Sequence, residues 1–350
     1  MDPLTHALSG ALLVRATAPR KPTPDTLPLS LRVATGFAAA LFPDIDFVLR
    51  LVDTLSYLNW HQGLTHSLPM LPLWAFVLAH LFARIDGGRH PWRSFFAPAC
   101  LGLAIHIAGD LITAYGLMLF APLSTRTFSL PLAFVIDPWI TAILAAGLLA
   151  AARFPRHRRV AAAALMVLGV YIGFLATQFD RAVTAAESHA ATLAQDADTI
   201  RVLPQPLSPL HWKLIVSSDD AHHVARVRLY ERPGPLATLL PGTTLARMAA
   251  AYEPVDAARW QRIGMFGHGE RETRLAREAW QQSAFAEFRR FAVLPFMDRI
   301  DHSEDGTCVW FLDLRFVLPA IPPSFRFGSC RDANDGKWHL RRERGALWID

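Results

Sequence analysis

The stretch VAAAALMVLGVYIGFLAT at residues 160–177 contains no charged side chain. It is long enough to cross a lipid bilayer, because a membrane-spanning helix needs about 17–25 predominantly apolar residues. Three further apolar stretches and two weaker ones precede it, at residues 67–83, 94–120, 131–152, 4–15 and 33–51. Any one of them could be a buried helix of a soluble protein. Their succession predicts an α-helical polytopic membrane domain of about four to six helices.

Charged side chains are distributed unevenly along the chain. The 350 residues are 52% hydrophobic and carry a formal net charge of +5. Residues 1–180 contain 22 charged side chains and residues 181–350 contain 43. Because average soluble domains are roughly 25% charged, only the second part has a soluble composition. We therefore expect a transmembrane helical domain at 1–180 and a soluble α/β (α+β) domain at 181–350, and we exclude a disordered, collagenous or coiled-coil chain.

The basic residues predict an orientation in the membrane. They are concentrated in three segments, at residues 15–32, 84–93 and 153–159. The intervening segments 52–66 and 121–130 hold only Arg126. Since short cytoplasmic loops are enriched in Lys and Arg, the three basic segments should face the cytoplasm. Residues 181–350 should then be extracytoplasmic. A signal peptide is disfavoured, because the basic residues follow the first apolar run instead of preceding it.

Ionisable residues within the apolar half form a pattern. A charged group inside a bilayer is costly, so such groups are candidates for function. Asp44 and Asp46 lie in FPDIDF, and His106 and Asp110 lie one helical turn apart in HIAGD. The predicted topology places all of the candidates on the outer side, namely His6, Asp44, Asp46, His61, His66, His106, Asp110 and Asp137.

Imidazoles and carboxylates gathered in a partly apolar pocket are suited to binding a divalent cation. We expect one to three ions, with zinc as the favoured metal. The expected metal ligands are His6, Asp44, Asp46, His61, His66, His106 and Asp110. A carboxylate that is not fully committed to metal, either Asp46 or Asp137, would manage the proton of the attacking water. No nucleophile elbow, Walker loop or dinucleotide fingerprint offers a competing chemistry.

Each candidate also has a structural interpretation. Asp44 could cap a helix after Pro43, and His106 with Asp110 could be an interhelical pair. His80 is isolated on the opposite side and is expected to be a helix-packing residue. For His6 and Asp137, the sequence is compatible both with metal ligation and with a supporting role.

Five sequence blocks carry a resemblance to a known family. They are MDPLTHALSGAL, LFPDIDF, HQGLTHSL, HIAGDLITAYG and FVIDPW, in that order. The chain resembles the YdjM-type inner-membrane proteins, described as membrane-bound, predicted metal-dependent hydrolases, over roughly residues 1–180. The resemblance implies a location in the bacterial inner (cytoplasmic) membrane. The family is thought to be related to zinc-dependent phospholipase C and P1-type nucleases, which implies a phosphoester substrate.

The resemblance extends to individual positions. The family's motif positions correspond to His6, Asp44, Asp46, His61, His66, His106 and Asp110, with Asp137 as a supporting acid. Gln62 stands where many members have a basic residue, so a cationic role is not expected there.

The second part of the chain reads as a soluble α/β (α+β) domain. Alternating or apolar runs predict strands at residues 212–217, 224–230, 307–316 and, as an edge, 337–342. Helices are predicted at 246–252 and 270–291, and the dispersed histidines at 222, 223, 268 and 302 are expected to be exposed. Acids match bases here, so no nucleic-acid-binding stripe is expected. Cys308 and Cys330 would lie in an oxidising compartment and could pair, whereas Cys100 should stay free.

The leading hypothesis is a membrane-bound, metal-dependent hydrolase acting at the outer leaflet on a lipid-linked or otherwise amphipathic phosphoester. Its expected partners are the lipid bilayer and this substrate, without nucleic acid, and the oligomeric state is left open. A transporter or metal-handling protein would also place acids and histidines in its helices, but along a path across both leaflets. A non-catalytic protein with a structural metal is the third alternative.

Overall fold

The computed structural model describes residues 1–21, 23–154, 158–193, 199–231 and 239–343. The chain divides into two compact units, Met1–Thr177 and Gln178–Asp350. The first unit is helical and the second is rich in β-sheet. The predicted order of a helical region followed by a sheet-rich, soluble-like region is therefore confirmed.

The first unit is built from helices, and each apolar stretch predicted from the sequence carries a helix. The helices are α1 (Pro3–Ala16), α2 (Leu29–Leu41), α3 (Thr54–Trp60), α4 (Leu71–Ile85), α5 (Trp92–Leu111), α6 (Pro138–Arg153) and α7 (Arg158–Ala190), which continues into the second unit. Two 3-10 helices, Phe42–Leu51 and Leu64–His66, connect α2 to α3 and α3 to α4.

The ends of these helices follow from their local sequence. Helix α1 begins where the Asp2 carboxylate accepts a hydrogen bond from the backbone N–H of Thr5, with a proline in the first turn. Helix α2 ends at Leu41, two residues before Pro43, whose ring has no N–H to donate to a further helical hydrogen bond. The chain continues as a 3-10 helix, so the predicted stretch at 33–51 is not one continuous α-helix.

Helices α1, α2 and α5 approach one another closely because glycines face each other. A Cβ atom added at Gly10 would collide with the carbonyl oxygen of Gly36, and one added at Gly102 would lie 2.7 Å from the same oxygen. Small residues allow such backbone approach between apolar helices. Gly10 is four residues after His6 and Gly102 is four residues before His106. The tightest contact therefore lies one turn away from the polar candidates and holds them together.

The number of candidate membrane spans is smaller than the sequence predicted. Within the described residues, α5 with 20 residues and α7 with 33 are long and apolar enough to cross a membrane. The segments Thr54–His66 and Leu71–Ile85 would together make a third, bent by 81°. Helices α1, α2 and α6 have 14, 13 and 16 residues, fewer than the roughly 20 that a straight crossing needs. Two or three candidate spans are thus supported, and a count of four to six stays a prediction.

The second unit contains two sheets. The first consists of β1 (Thr199–Pro204), β2 (His211–Ser217), β3 (Ala221–Arg228), β4 (Glu253–Pro254) and β5 (Gln261–Gly264), and the second of β6 (Pro295–Ser303), β7 (Gly306–Asp313), β8 (Phe327–Asp332) and β9 (Trp338–Arg342). The first sheet has the order β1-β2-β3-β4, with β5 also pairing with β3, and the second has the order β6-β7-β8-β9. Pairing is antiparallel except between β3 and β4.

The first sheet buries one face against the end of α7. Trp212, Leu214 and Val216 alternate along β2 and pack against Ala182 and Ala186 of the helix. The strand was predicted from its apolar run, and it is buried along its whole length. The opposite face of the sheet carries the residues at 213, 215 and 224, which face away from α7.

The secondary structure predicted for the second unit is confirmed with one correction, and the predicted exposure of its histidines is confirmed for His268 and His302 but not for His222 and the half-buried His223. The predicted strands correspond to β2, β3, β7 and the edge strand β9, and the first predicted helix to α8 (Thr244–Ala250). The predicted helix at 270–291 is interrupted at Gln282, which is extended, and forms α9 (Glu270–Gln281), a 3-10 helix (Ser283–Phe285) and α10 (Ala286–Phe291). The break allows Phe285 and Phe288 to become fully buried in an aromatic core. His222 is buried, bonded to Ser217 and to the carbonyl of Pro295, and not exposed as expected.

The two cysteines of the second unit lie opposite each other on neighbouring strands. Cys308 of β7 is paired in register with Cys330 of β8, and a disulfide joins them. Cys100 in α5 is free. The pairing that the sequence left open is therefore present in the structure.

Candidate metal centre

Four side chains of the first unit direct their ligand atoms to one point. Asp44 comes from the 3-10 helix that follows α2, and His66 ends the 3-10 helix before α4. His106 and Asp110 lie one turn apart near the end of α5. We refer to these as the four-residue group. The two histidines and Asp110 are fully buried, whereas the side chain of Asp44 is 22% exposed.

Five distances within the four-residue group are close to the edge length of a coordination tetrahedron. Oδ2 of Asp110 lies 3.2 Å from Nε2 of His66 and 3.3 Å from Nε2 of His106. Oδ1 of Asp44 lies 3.8 Å and 3.7 Å from the same two nitrogens, which are 2.9 Å apart. Metal–ligand bonds of about 2.0–2.2 Å in a tetrahedral site separate neighbouring ligands by roughly 3.4 Å. A single small divalent cation fits between these atoms.

The other ring nitrogens of the two histidines fix their tautomers. Nδ1 of His106 lies 2.7 Å from the carbonyl oxygen of Ala40, which can only accept a hydrogen bond. The Thr65 hydroxyl donates to Oδ2 of Asp46 at 3.2 Å and therefore accepts from Nδ1 of His66 at 2.9 Å. Both Nδ1 atoms carry a proton, so in the neutral rings both Nε2 atoms present a lone pair to the centre.

The carboxylates supply acceptors without donors. Within the described part of the chain, Oδ2 of Asp44 and Oδ2 of Asp110 have no hydrogen-bond partner. An unpaired carboxylate oxygen away from water is costly, and Oδ2 of Asp110 lies directly beside the two Nε2 atoms. A bound cation would remove this cost, so the residues present fit a metal ion. Two nitrogen and two oxygen donors suit zinc, and they also suit Mn²⁺ or Fe²⁺.

His6 lies beside the four-residue group. Its ring is stacked on that of His106 with centroids 3.6 Å apart, and its Nε2 lies 3.1 Å from Oδ1 of Asp110. The same oxygen is contacted by the amino group of Met1. One oxygen of Asp110 therefore faces His6 while the other faces the centre. In this arrangement His6 holds the Asp110 carboxylate in place.

Asp46 and His61 form a second pair next to the four-residue group. Nδ1 of His61 donates to Oδ1 of Asp46 at 2.8 Å. The other oxygen of Asp46 accepts from the backbone N–H of Gln62 at 3.0 Å and lies 3.5 Å from Nδ1 of His66. The rings of His61 and His66 are 5.6 Å apart, and the His61 side chain is 14% exposed. Asp46 therefore orients two histidines, one of them within the four-residue group.

Asp137 has a different set of contacts. Oδ1 of its carboxylate accepts from the backbone N–H groups of Trp139 and Ile140 at 2.8 and 3.0 Å, which caps helix α6. The Tyr171 hydroxyl donates to its Oδ2 at 3.0 Å. No hydrogen bond or ion pair between described residues joins Asp137 to the four-residue group. His80 likewise lies apart, with Nδ1 at 2.9 Å from the carbonyl of Phe76 and its ring stacked on Trp92.

Three contributors to the site have no signal in the pattern of acids and histidines. Thr65 links Asp46 to His66, Ala40 supplies a carbonyl, and Gln62 supplies a backbone N–H. Only Thr65, next to His66 in the chain, offers a side chain that sequence reasoning could have singled out. Gln62 has a φ of 61°, which aims its N–H at Asp46. Because that contact is made by the backbone, it does not depend on a basic side chain at this position.

The fold and the site define a protein with a helical, apolar first unit and a His/Asp group positioned to bind a metal ion. The chain belongs to the YdjM inner membrane protein family, whose model matches residues 1–182. It is also similar to the uncharacterized protein YfhP of Bacillus subtilis (strain 168), with 29% identity over 145 residues, which are 40% of this chain and 43% of that protein. The match thus spans less than half of the relative's length. No solved structure matches the chain significantly.

Proposed function

We propose that this protein is a metal-dependent hydrolase of the inner membrane, acting as a phosphoesterase on a lipid-linked or amphipathic substrate. One observation carries the proposal: two imidazole lone pairs and two carboxylate oxygens converge within 4.8 Å of one another. The His66 and His106 rings have their protons on the opposite nitrogens. A cation between these four atoms would stabilise the lone pairs that they direct toward one another.

The four-residue group would hold the cation, for which zinc is the favoured choice. When bound, a divalent cation polarises a phosphoryl oxygen and lowers the pKa of coordinated water. The partial exposure of the Asp44 side chain supports a site that is open on this side, because the other three side chains are buried. A substrate could approach from this side without displacing the buried histidines.

Asp46 and His61 would handle the proton released in hydrolysis. Asp46 keeps Nδ1 of His61 protonated, so Nε2 of the neutral ring is left as a proton acceptor. The pair lies beside the four-residue group and His61 is partly exposed. The alternative role of Asp137 as the proton-handling acid stays a prediction.

Exposed apolar side chains support an amphipathic substrate. Ile45, Phe47 and Val48 belong to the same 3-10 helix as Asp44 and Asp46, and they are 58%, 51% and 55% exposed. An exposed apolar patch next to a polar site is typical of a lipid- or membrane-binding surface. We therefore place the substrate's apolar part against this helix and its phosphoester at Asp44.

The outer side of the membrane is the proposed location of the site and of residues 181–350. The alternation of basic and non-basic segments supports this orientation. The disulfide between Cys308 and Cys330 supports it independently, since disulfides persist in oxidising compartments. A multi-pass topology with more than three crossings would require the short helices α1, α2 and α6 to span the bilayer.

The test is hydrolysis by the full chain purified in detergent. Zinc-loaded protein should hydrolyse a chromogenic phosphodiester or a phospholipid, and His66→Ala should lose at least about 100-fold of this activity. The matched control is His80→Ala, which removes a histidine of the same unit outside the site and should keep the activity. Full activity in His66→Ala would overturn the proposal.

A structural metal is the second candidate, favoured by the presence of four protein ligands, the usual number in structural zinc sites. Metal-loaded protein that is stabilised by the ion but hydrolyses none of the phosphoesters would favour this function. A metal-handling role would be indicated by uptake of the ion into proteoliposomes that contain the protein.

A further inference from the structure

Two cationic side chains face each other across neighbouring strands of the second unit. Lys213 of β2 and Arg226 of β3 are directly opposite in the antiparallel register. Residues in this relation project to the same face with Cβ atoms about 4.5–5.5 Å apart, and like charges placed so are destabilising. Lys213 is fully buried, which increases the cost of the repulsion. A bound group of negative charge would offset this repulsion between the two cations.

The two cations line a cavity of about 260 Å³. Its walls come from both sheets and include Trp260, Phe296 and Val317. The cavity is slightly smaller than the roughly 300–1,000 Å³ typical of small-molecule sites. It combines a cationic end with apolar walls, as a site for a small anionic organic molecule would.

The carboxylates near this cavity are already engaged by other groups. Glu253 pairs with Arg259 through two guanidinium nitrogens and accepts the backbone N–H of Arg259 at 3.1 Å. Asp313 pairs with Arg315 at 2.9 Å and accepts the backbone N–H of Val293 at 2.7 Å. Lys213 and Arg226 therefore have no ion pair within the described ranges of the chain.

Both cations retain hydrogen-bonding capacity. Lys213 donates to the carbonyl oxygens of Leu314 and Val317, which uses two of its three protons. Nε of Arg226 is buried and has no hydrogen-bond partner among the described residues. Burial, with a smaller contribution from Arg226 and partly opposed by the charge of Asp313, lowers the pKa of Lys213 from 10.5 to about 7. An anion in the cavity would reverse this shift by pairing with both side chains.

We propose that the cavity bordered by Lys213 and Arg226 is a binding site for a small phosphate monoester. The Glu253–Arg259 pair is neutral as a whole, so the two unpaired cations offer a charge close to that of a phosphate monoester near neutral pH. The guanidinium of Arg226 would bind two phosphate oxygens, and Lys213 would act as a point charge. The organic part of the ligand would lie against Trp260 and Phe296.

Calorimetric titration of the full chain in detergent with phenyl phosphate tests this site. The protein is first freed of metal with a chelator, because phosphate could also bind a cation at the four-residue group. We expect saturable binding with a Kd below about 1 mM, tighter than that of inorganic phosphate because the phenyl ring contacts the apolar walls. Absence of saturable binding of both probes below about 10 mM would overturn the proposal.

The decisive variant is Arg226→Gln, which removes one cation whose side chain makes no hydrogen bond to the described residues. Binding should weaken about tenfold or more, since hydrogen bonds to charged groups are stronger than neutral ones. Arg226→Lys should restore part of the affinity. The matched control is Arg262→Gln on β5, whose arginine pairs with Asp220 and does not line the cavity.

The expected results separate this site from a structural role of the arginine. Arg226→Gln should unfold at a temperature equal to or higher than that of the wild type, because it removes a like-charge contact. Equal affinity of Arg226→Gln and wild type for phenyl phosphate would contradict the proposal. So would a loss of binding in Arg262→Gln as large as that in Arg226→Gln. Because metal-free protein is used, these outcomes are independent of the hydrolase activity.

Discussion

Each of the two units brings together ionisable side chains of one kind, and the two sets have opposite character. In the first unit, Asp44, His66, His106 and Asp110 present acceptors to one another. In the second, Lys213 and Arg226 present donors to a shared cavity. The first set is assembled from helices distant in sequence, and the second from two adjacent strands. The first set is positioned to bind a metal ion, and the second is the one for which we propose an anion.

The largest expected effect is the loss of the cation from the first unit. His66→Ala removes one ligand and opens a cavity at a fully buried position, so the affinity for zinc should fall more than about 100-fold. Zinc at about 1,000 times its Kd should stabilise the wild type by about 4 kcal/mol. Thermal unfolding with and without zinc measures this stabilisation, which should be absent in His66→Ala.

His80→Ala is the control for that comparison, because His80 lies outside the four-residue group. It should retain both the bound zinc and the zinc-dependent stabilisation. An equal loss in His80→Ala would indicate a general effect of changing the helical unit and would contradict the assignment of the site.

A smaller effect is expected at Asp46, which orients His61 and lies 3.5 Å from Nδ1 of His66. Asp46→Asn should weaken zinc binding about 10- to 100-fold, as is usual for groups that orient metal-binding histidines. Competition with a chromogenic chelator measures the change. Asp53→Asn is the matched control, since Asp53 caps α3 through Ser56 and Asn caps equally well. Equal zinc affinities of Asp46→Asn and Asp53→Asn would contradict the role of Asp46.

The buried Lys213 of the second unit predicts that the stability of the protein depends on pH. The folded-state pKa of Lys213, about 7, lies below its ordinary value of 10.5. The unfolded chain therefore binds more protons between about pH 7 and pH 10.5, so stability should rise with pH in that window. Denaturation of metal-free protein at pH 7 and pH 9 measures the slope. Lys213→Met should remove the contribution, and an unchanged slope in this variant would contradict it.

The smallest effect on metal binding is expected at Asp137. Its carboxylate contacts the backbone at the start of α6 and the hydroxyl of Tyr171. Asp137→Asn keeps a capping side chain, so zinc content should not change, as measured by elemental analysis. Hydrolysis by the same variant decides its further role: loss of activity with full zinc content would support the predicted proton-handling acid, and retained activity would leave that role to Asp46.

The cluster in the first unit could be predicted because acids are rare in apolar sequence. Asp44, Asp110 and the histidines were recognisable as costly groups, and one helical turn places His106 beside Asp110. The pattern could not show which of these candidates would contact one another. Of the seven expected ligands, four form the four-residue group and the others lie beside it; Asp44 and Asp46, on the same 3-10 helix, have different partners.

The cavity in the second unit could not be predicted from sequence. Lys213 and Arg226 each occupy an ordinary position in an alternating strand. Their opposition depends on the register between β2 and β3, and the cavity depends on residues about a hundred positions later. The break at Gln282 could not be predicted for a similar reason. The aromatic core that the break allows Phe285 to enter includes residues of distant strands.

The coordination of the bound metal tests the central claim most directly. X-ray absorption spectroscopy of zinc-loaded wild-type protein should show a four-coordinate shell of nitrogen and oxygen at about 2.0–2.2 Å, with outer scattering from two imidazole rings. Protein that retains no zinc, or a zinc shell with a sulfur ligand at about 2.3 Å, would contradict the account.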